Sequence, residues 1–443
     1  MTFPLPLVPF EEYMLAENTP SYPRVFFLDL EFAGSLDRGA LEAAWREAIV
    51  RHPLLNSRIG KSHGRRQWLG PSDELPVIHW LPADAALEFP RGELIDLTRE
   101  AGVRMWVRLD ENRARWTLEF HHACADGVGG LQFVADLMAL YARKTSDHAP
   151  PLLPLDSKLL AGRGTFGLTR PTFREWLGHA AYTIRDSLRL VGRKVLPLHP
   201  ARVVSGERAT PLAQGDIETY RSTPEERMAV QLAAEAAGVT VNDLAMCHLM
   251  RAIAEWNNQQ AGRPVEGWLR INVPTNLRRR EDAAMPTANV MSFTFVDRHT
   301  ADCVDARALL ESIRRETEAI KTRRLGLYFI GQLALLGGIP GGMKLMLSPR
   351  RCFATAVLTN IGDMTHRFGL AFPVANGKLL IGNLTLESIT GTPPLRPLTH
   401  VGVGIFTYAQ CLVVTLLCDR HHFTREQARR FLNLYVSHLR RGI

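Results

Sequence analysis

The sequence is poor in the features that mark secreted, membrane-spanning and zinc-binding proteins. Its six cysteines are too few for a disulfide framework in 443 residues, and none of them forms a CxxC pair, which argues against a metal site. The first residues lack the basic start and apolar run of a signal peptide. The longest apolar window, Leu325–Leu336, is too short to span a bilayer. These absences predict a soluble cytoplasmic protein that holds no metal.

Neither positive nor negative charge is concentrated in one part of the sequence. The chain has 53 Lys and Arg against 45 Asp and Glu, a formal net charge of +8, and the excess is scattered along the sequence. A nucleic-acid-binding protein usually carries its excess in one stripe, so we expect no nucleic-acid partner. A basic surface does suit an anionic partner, such as a phosphate-bearing thioester carrier or an acidic carrier protein.

Helical and strand-like patterns alternate in both halves of the chain, which predicts an α/β class with two related lobes. The length also predicts two domains. A proline-rich segment after Lys144 indicates a linker, and the basic, amphipathic stretch Thr172–Arg202 follows it. We therefore expect an N-terminal lobe over residues 1–170, a linker or crossover segment over 171–206 and a C-terminal lobe over 207–443.

One motif carries candidate chemistry. Phe120 is followed by HHACADG, which contains His121, His122, Asp126 and Gly127. The motif lies between a predicted strand and a predicted helix, on the kind of loop where reactive side chains are common. Histidine titrates near neutrality, so an imidazole here can accept a proton and return it within one cycle. Because adjacent histidines point differently, we expect only one of the two to face a channel.

The other two motif residues have several interpretations. Asp126 could hold the loop through a salt bridge to an arginine, or it could orient an imidazole. Gly127 permits a turn that other residues would not tolerate and leaves space beside the base. A simpler interpretation is a loop with two solvent-facing histidines and a helix-capping aspartate.

Other reactive side chains fit structural roles better. Cys124 lies inside the motif, but without an activating base of its own it is better explained as a buried small residue. His421 and His422 lie beside Asp419, but no Asp-Gly follows them at the required spacing. We interpret them as surface residues before a helix.

Four further segments follow the pattern of a known superfamily in the expected order: LEAAWREAIVRHPLLNSRI, GVTVNDLAMCHLMRAI, INVPTNLRR and LTNIGDM. With HHxxxDG, they resemble the chloramphenicol-acetyltransferase-like superfamily over most of the chain. That superfamily includes nonribosomal peptide condensation domains, plant BAHD acyltransferases, alcohol acetyltransferases and wax ester synthase/diacylglycerol acyltransferases. Asn56 stands where condensation domains often carry arginine, and the BAHD D-F-G-W-G motif is missing. The chain is therefore more similar to the alcohol-acylating branches.

The resemblance implies two chloramphenicol-acetyltransferase-like lobes in a V, with a channel between them. It implies that His122 deprotonates the acceptor and finally returns the proton to the leaving thiolate, while His121 packs within its lobe. Thr359 and Asn360 match the position where family members place polar groups facing the histidine, which makes them candidate oxyanion donors.

In this superfamily the motif aspartate usually pairs with an arginine and shapes the loop. The resemblance thus implies a salt bridge from Asp126, with Arg278 as the first candidate partner and Arg58 as the second. No metal ligand is implied. The co-substrate implied is acyl-CoA or a phosphopantetheinyl carrier protein, with no permanently bound cofactor.

The sequence thus predicts a monomeric acyltransferase that moves an acyl group from an acyl-CoA or acyl-carrier-protein thioester to the hydroxyl of a small-molecule acceptor. Amide formation, as in a free-standing condensation domain, remains an alternative. So does a catalytically silent module of the same fold that binds a carrier protein. Thr172–Arg202 and Leu325–Leu336 also leave peripheral membrane contact open.

Overall fold

The computed structural model describes residues 3–62, 64–85, 94–147, 149–166, 187–190, 192–200, 217–339 and 341–442. Within these residues the helices are α1 (Pro9–Glu17), α2 (Arg38–Arg51), α3 (Gly127–Thr145), α4 (Pro224–Ala236), α5 (Val241–Ala261), α6 (Ala306–Thr322), α7 (Gly326–Gly337), α8 (Gly342–Met346), α9 (Met364–Gly369) and α10 (Arg425–Arg441).

The strands of the described residues form three sheets. A small sheet has the order β1-β4-β3, a seven-stranded sheet the order β12-β13-β14-β2-β7-β6-β5, and a six-stranded sheet the order β10-β9-β11-β15-β16-β8. Their bounds are β1 (Leu5–Pro6), β2 (Val25–Ala33), β3 (Ser57–Ser62), β4 (Arg65–Pro71), β5 (Ile78–Pro82), β6 (Val103–Leu109), β7 (Arg113–His121), β8 (Ile217–Arg221), β9 (Trp268–Asn276), β10 (Met291–His299), β11 (Ala356–Asp363), β12 (Val374–Ala375), β13 (Lys378–Ile381), β14 (Leu384–Thr392), β15 (Val401–Tyr408) and β16 (Cys411–Cys418).

The strand–helix frame of the motif forms as the sequence pattern predicts. Strands β6 and β7 pair antiparallel as a hairpin. The alternating side chains Trp116, Leu118 and Phe120 of β7 are fully buried. Helix α3 buries the apolar positions that recur at helical spacing, namely Leu131, Val134, Leu137, Met138 and Tyr141. Because one face of each element is apolar, the helix packs onto the sheet and holds the loop between them.

The seven-stranded sheet contains chain from both halves of the sequence. Strand β14 pairs antiparallel with β2, from Thr385 opposite Ala33 to Thr392 opposite Phe27. Residues 374–392 thus extend the sheet that carries the motif, although the sequence pattern placed them in the C-terminal lobe. The physical reason is burial, because the apolar side chains of these strands join the same buried cluster as those of β2 and β7: Leu379, Ile381, Leu384, Leu386 and Ile389.

Two local sequence patterns in the C-terminal half can be compared with the structure. Thr223 followed three positions later by Glu226 predicts a capping box at the start of a helix. The capping box is present in α4, with Thr223 accepting from the Glu226 backbone N–H and Glu226 accepting from the Thr223 N–H. The segment KLLIGNLTL, which the apolar pattern predicts as one strand, is two strands. Gly382 separates them at a φ of 62°, a left-handed conformation that glycine adopts without steric cost and that reverses the chain.

One of the two segments considered for membrane contact packs into the protein. Leu325–Leu336 falls almost entirely within α7, which buries Phe329 and Leu333 in the core. Most of the stretch 172–202 lies outside the described residues. Across the described parts of the chain, none of the helices is both long enough and apolar enough to cross a bilayer.

Candidate active site

The HHACADG loop is anchored at both ends by backbone hydrogen bonds. The His121 N–H donates to the Gly102 carbonyl at 2.8 Å, and the His122 N–H donates to the Arg24 carbonyl at 2.7 Å. At the other end Asp126 caps helix α3, its Oδ1 accepting from the Gly129 N–H at 2.7 Å. The loop is thus held between the two strands beside it and the helix that follows.

The two histidines occupy different environments. His121 is fully buried, and its Nδ1 accepts from the Ala123 N–H at 3.0 Å. His122 is 7% exposed and lines a cavity between the lobes. Burial lowers the pKa of His121 to about 3 and that of His122 to about 4. Both rings are therefore neutral at pH 7, and His122 is the one that adjoins open space.

The His122 ring has polar neighbours on its own loop and on the opposite lobe. Burial dominates the fall in its pKa, and the nearby backbone carbonyls of His122 itself and of Ala125 oppose that fall. A neutral imidazole carries one proton, so one of its two nitrogens is left to accept another. The Asn289 amide donates to the His122 carbonyl and lies 3.4 Å from Nδ1. Asn289 is not predicted from the sequence because no motif surrounds it.

Asp126 forms a buried bridge between the lobes. Its Oδ2 accepts from Arg278 Nη1 at 2.7 Å and from the Val290 N–H at 2.8 Å. Arg278 Nη2 also donates to the Ala288 carbonyl at 2.8 Å. Both carboxylate oxygens are thus engaged in holding the loop, which is the first of the two roles considered for this residue.

Arg58, the second candidate partner of Asp126, lies elsewhere. It is on strand β3 of the small sheet, with its Nη2 3.6 Å from Glu74. The prediction of a pairing with Arg58 is therefore wrong. Arg278 reaches Asp126 because it follows strand β9, which belongs to the sheet facing the motif.

The glycines of the motif region differ from expectation. Gly127 is absent from the residues with positive φ, and the nearest atom to a Cβ built on it is Ile361 Cγ2 at 3.9 Å. The prediction that Gly127 forms a turn that only glycine tolerates is therefore wrong, whereas the predicted space beside the loop is present. The tight position is Gly129, where a Cβ would lie 2.8 Å from the Ala288 carbonyl oxygen. That carbonyl belongs to the opposite lobe, so the close approach of the lobes requires glycine here.

Cys124 behaves as a packed core residue. It is fully buried, and burial raises its pKa well above the ordinary value, which keeps the sulfur a thiol. A Cβ on Gly102 would lie 2.0 Å from its Sγ, so the sulfur fills space against the neighbouring backbone. The thiol is not available as a nucleophile.

The two candidate oxyanion donors lie on strand β11, and the structure separates them. Side chains alternate along a strand, so Thr359 shares a face with Val357, which lines the cavity. Asn360 is exposed, and its Oδ1 accepts from the Gly362 N–H at 2.9 Å in a local turn. The lining of the His122 cavity includes neither Thr359 nor Asn360.

The cavity beside His122 is small and lies between the lobes. Its volume is about 30 Å³, room for one or two water molecules. The wall combines aromatic, proline and charged side chains from both halves of the chain: Tyr13, Met14, Glu17, Arg24, His122, Asn272, Pro274, Phe293, Phe353, Ala354, Val357, Pro393, Pro394, Arg396 and Thr399.

Buried charges in this wall leave an excess of positive charge. Glu17 lies 3.0 Å from Arg24 Nη2 and 3.2 Å from Arg396 Nη2. The Arg396 guanidinium also stacks on the Phe353 ring, 4.5 Å from its centroid. Within the described chain, Arg24 Nε and both Arg396 Nε and Nη1 have no hydrogen-bond partner. The guanidinium groups of Arg24 and Arg396 carry two positive charges, and the Glu17 carboxylate neutralises only one of them. The wall therefore favours the binding of a negatively charged group next to His122.

Comparisons with known proteins give the fold. No family model matches the chain. An uncharacterized protein of Mycobacterium tuberculosis is 24% identical over 456 residues, which cover 98% of this chain and 99% of that relative. Polyketide synthase associated protein 5 from Mycobacterium tuberculosis superposes with a TM-score of 0.66 at 16% identity, over 98% of this chain and 97% of that one.

A condensation domain superposes equally well. The first condensation domain of the calcium-dependent antibiotic synthetase, solved with a substrate analogue, gives a TM-score of 0.68 at 16% identity, over 99% of this chain and 96% of that chain. Superposition over nearly the whole length of both chains means that both lobes are shared. The protein therefore has the condensation-domain fold of two chloramphenicol-acetyltransferase-like lobes, as the HHxxxDG resemblance implies.

Proposed function

We propose that this protein is an acyltransferase that moves an acyl group from an acyl-CoA or carrier-protein thioester to a hydroxyl acceptor, with His122 as general base. The observation that carries the proposal is the position of the His122 imidazole. It is a neutral ring with one nitrogen left to accept a proton, at a cavity where the two lobes meet.

The reaction follows from that placement. The His122 imidazole accepts the hydroxyl proton while the acceptor oxygen attacks the thioester carbonyl carbon. The tetrahedral intermediate carries an oxyanion, and the surplus positive charge of Arg24 and Arg396 in the cavity wall would stabilise it. Its collapse breaks the carbon–sulfur bond, and the proton returns from His122 to the leaving thiolate. The products are an ester and a free thiol.

Asp126 acts on this reaction through the loop. Its contacts with Arg278 and with the Val290 and Gly129 N–H groups fix the backbone that presents His122. Asn289 adds a contact to the carbonyl of the base itself. We assign both side chains as positioning residues, because their hydrogen bonds hold the loop and neither side chain lines the cavity.

The thioester is a co-substrate that must enter the interlobe space. The cavity of about 30 Å³ is smaller than an acyl thioester, so it would hold only the reacting atoms beside His122. The basic character of the chain, +8 overall, favours the phosphate groups of coenzyme A or an acidic carrier protein.

Amide formation is the second candidate function. The superposed condensation domain belongs to the calcium-dependent antibiotic synthetase, and the same base would serve an amine as readily as a hydroxyl. A third candidate, a silent carrier-binding module, has no need for a base at a cavity.

Thiol release separates these candidates. The purified protein is incubated with short-, medium- and long-chain acyl-CoAs and with acyl carrier proteins, each paired with alcohol and amine acceptors, and free thiol is followed. We expect thiol release with alcohols, and at least about 100-fold slower turnover in His122→Ala at unchanged melting temperature. His366→Ala, which changes an exposed histidine on α9, is the matched control. Equal turnover in wild type and His122→Ala would refute the mechanism, and release with amines alone would replace ester by amide formation.

A further inference from the structure

Three side chains converge at the base of the β15–β16 hairpin, away from the HHACADG loop. His400 comes just before β15, Asp419 just after β16 and His422 just before helix α10. The Asp419 N–H donates to the His400 carbonyl at 2.9 Å, which holds the two strand ends together. The sequence pattern alone interprets His422 as a surface residue before a helix, since the position of His400 depends on the hairpin.

The three side chains bring ligand atoms to one point. One ring nitrogen from each histidine and one Asp419 carboxylate oxygen all lie within 4.8 Å of one another. His422 Nε2 is 4.0 Å from Asp419 Oδ2. His400 and Asp419 are buried, whereas the His422 side chain is 34% exposed. Two groups are thus fixed by the fold, and the third has room to move toward them.

Among the described residues, the His400 ring has one nitrogen with a hydrogen-bond partner and one without. Its Nδ1 lies 2.8 Å from the Leu198 carbonyl, which can only accept, so Nδ1 carries the proton. Among the described residues, no group hydrogen-bonds to the buried Nε2. A buried nitrogen without a partner calls for a physical explanation. Protein histidines that bind metals show this arrangement, with one ring N–H held by a carbonyl and the other nitrogen on the ion.

We propose that His400, His422 and Asp419 bind a divalent transition-metal ion of the zinc class. Two imidazoles and one carboxylate match the donor types that Zn²⁺ prefers, with water in the fourth position. Ligand bonds of about 2.0–2.2 Å require the atoms to close in on the ion. The partly exposed His422 ring would supply that movement.

The surroundings point to a structural role for this ion. The Tyr22 hydroxyl donates to Asp419 Oδ2 at 2.9 Å, and His421 Nδ1 lies 2.8 Å from Asp419 Oδ1, so the carboxylate is held from both sides. Tyr22 precedes strand β2 of the sheet that carries the motif. Thr399, next to His400, lines the His122 cavity. A bound ion would therefore stiffen the junction between the lobes at one wall of the cavity, without taking part in acyl transfer.

The test measures metal content and melting temperature rather than activity. The untagged full-length protein is stripped with a chelator, dialysed against micromolar Zn²⁺ and analysed for zinc by mass spectrometry, and its thermal unfolding is followed with and without Zn²⁺. We expect about one zinc per chain and a melting temperature raised by about 2 °C or more. His422→Gln and His400→Gln should each lower the affinity for Zn²⁺ by at least about 100-fold.

The controls keep the proposal falsifiable. His366→Gln changes an exposed histidine outside the cluster and should bind Zn²⁺ as the wild type does. If His400→Gln does not fold, His422→Gln decides alone, because its side chain is partly exposed. Substoichiometric zinc in the wild type, or unchanged affinity in His422→Gln, would overturn the site whatever the outcome of the acyl-transfer assays.

Discussion

Removing the Asp126 carboxylate should lower the free energy of unfolding of the protein. The loss of activity in such a variant should result from this loss of stability. The carboxylate is 3% exposed and accepts from three donors, on Arg278, Val290 and Gly129. Asp126→Asn leaves the Arg278 guanidinium, 12% exposed, without its counter-charge in the lobe interface. Breaking a buried ion pair in this way costs about 3–5 kcal/mol. Asp126→Ala also removes the cap of α3, which adds about 1 kcal/mol.

The measurement is chemical denaturation followed by circular dichroism, with turnover measured on the same preparations. Arg278→Gln and the double variant Asp126→Asn/Arg278→Gln complete a double-mutant cycle, whose coupling energy should reach about 2 kcal/mol or more, near the upper end for contacting pairs. The sign of the coupling matters because both single variants leave one buried charge unpaired, whereas the double variant leaves none. A variant at Asp126 with wild-type unfolding and lost turnover would refute the reasoning and assign the carboxylate to the imidazole instead.

Three further predictions test the packing and electrostatics of the site. Because burial lowers the pKa of His121 from 6.5 to about 3, the unfolded chain takes up a proton below pH 6.5 that the folded chain refuses, so stability falls as the pH falls toward 3. Between pH 7 and pH 5 the free energy of unfolding of the wild type should therefore drop by about 2 kcal/mol more than that of His121→Asn. Denaturant titrations at both pH values measure this difference. Equal drops in the two proteins would contradict a buried, neutral His121 ring. Gly129→Ala should destabilise the protein by about 1–3 kcal/mol because its Cβ would lie 2.8 Å from the Ala288 oxygen. Gly127→Ala should be tolerated in the same thermal melts because the nearest atom to its Cβ would be 3.9 Å away. A larger loss of stability in Gly127→Ala than in Gly129→Ala would disprove this assignment. Arg396→Gln should lower kcat by about 100-fold with little change in KM. Arg396→Lys keeps the charge and should retain more of the turnover. An unchanged kcat of Arg396→Gln in steady-state kinetics would show that Arg396 does not stabilise the oxyanion.

The sequence by itself determined the local frame of the site. Alternating apolar residues predicted the β6–β7 hairpin, helical spacing predicted α3, and HHxxxDG placed the histidine pair between them. These signals are local, because strand and helix periodicities and capping residues act over a few neighbouring positions. The resemblance added the two-lobe fold, which the superpositions confirm.

Only the tertiary structure decided which distant residues meet. Arg278 was selected over Arg58 by a contact that spans 152 residues of chain, and residues 374–392 crossed into the N-terminal sheet. The charged wall of Glu17, Arg24 and Arg396 had no sequence signature at all. Long-range pairs of this kind depend on how two lobes bury their apolar faces and on which buried charges remain to be neutralised. Those are properties of the packed interface, and no local pattern in the chain encodes them.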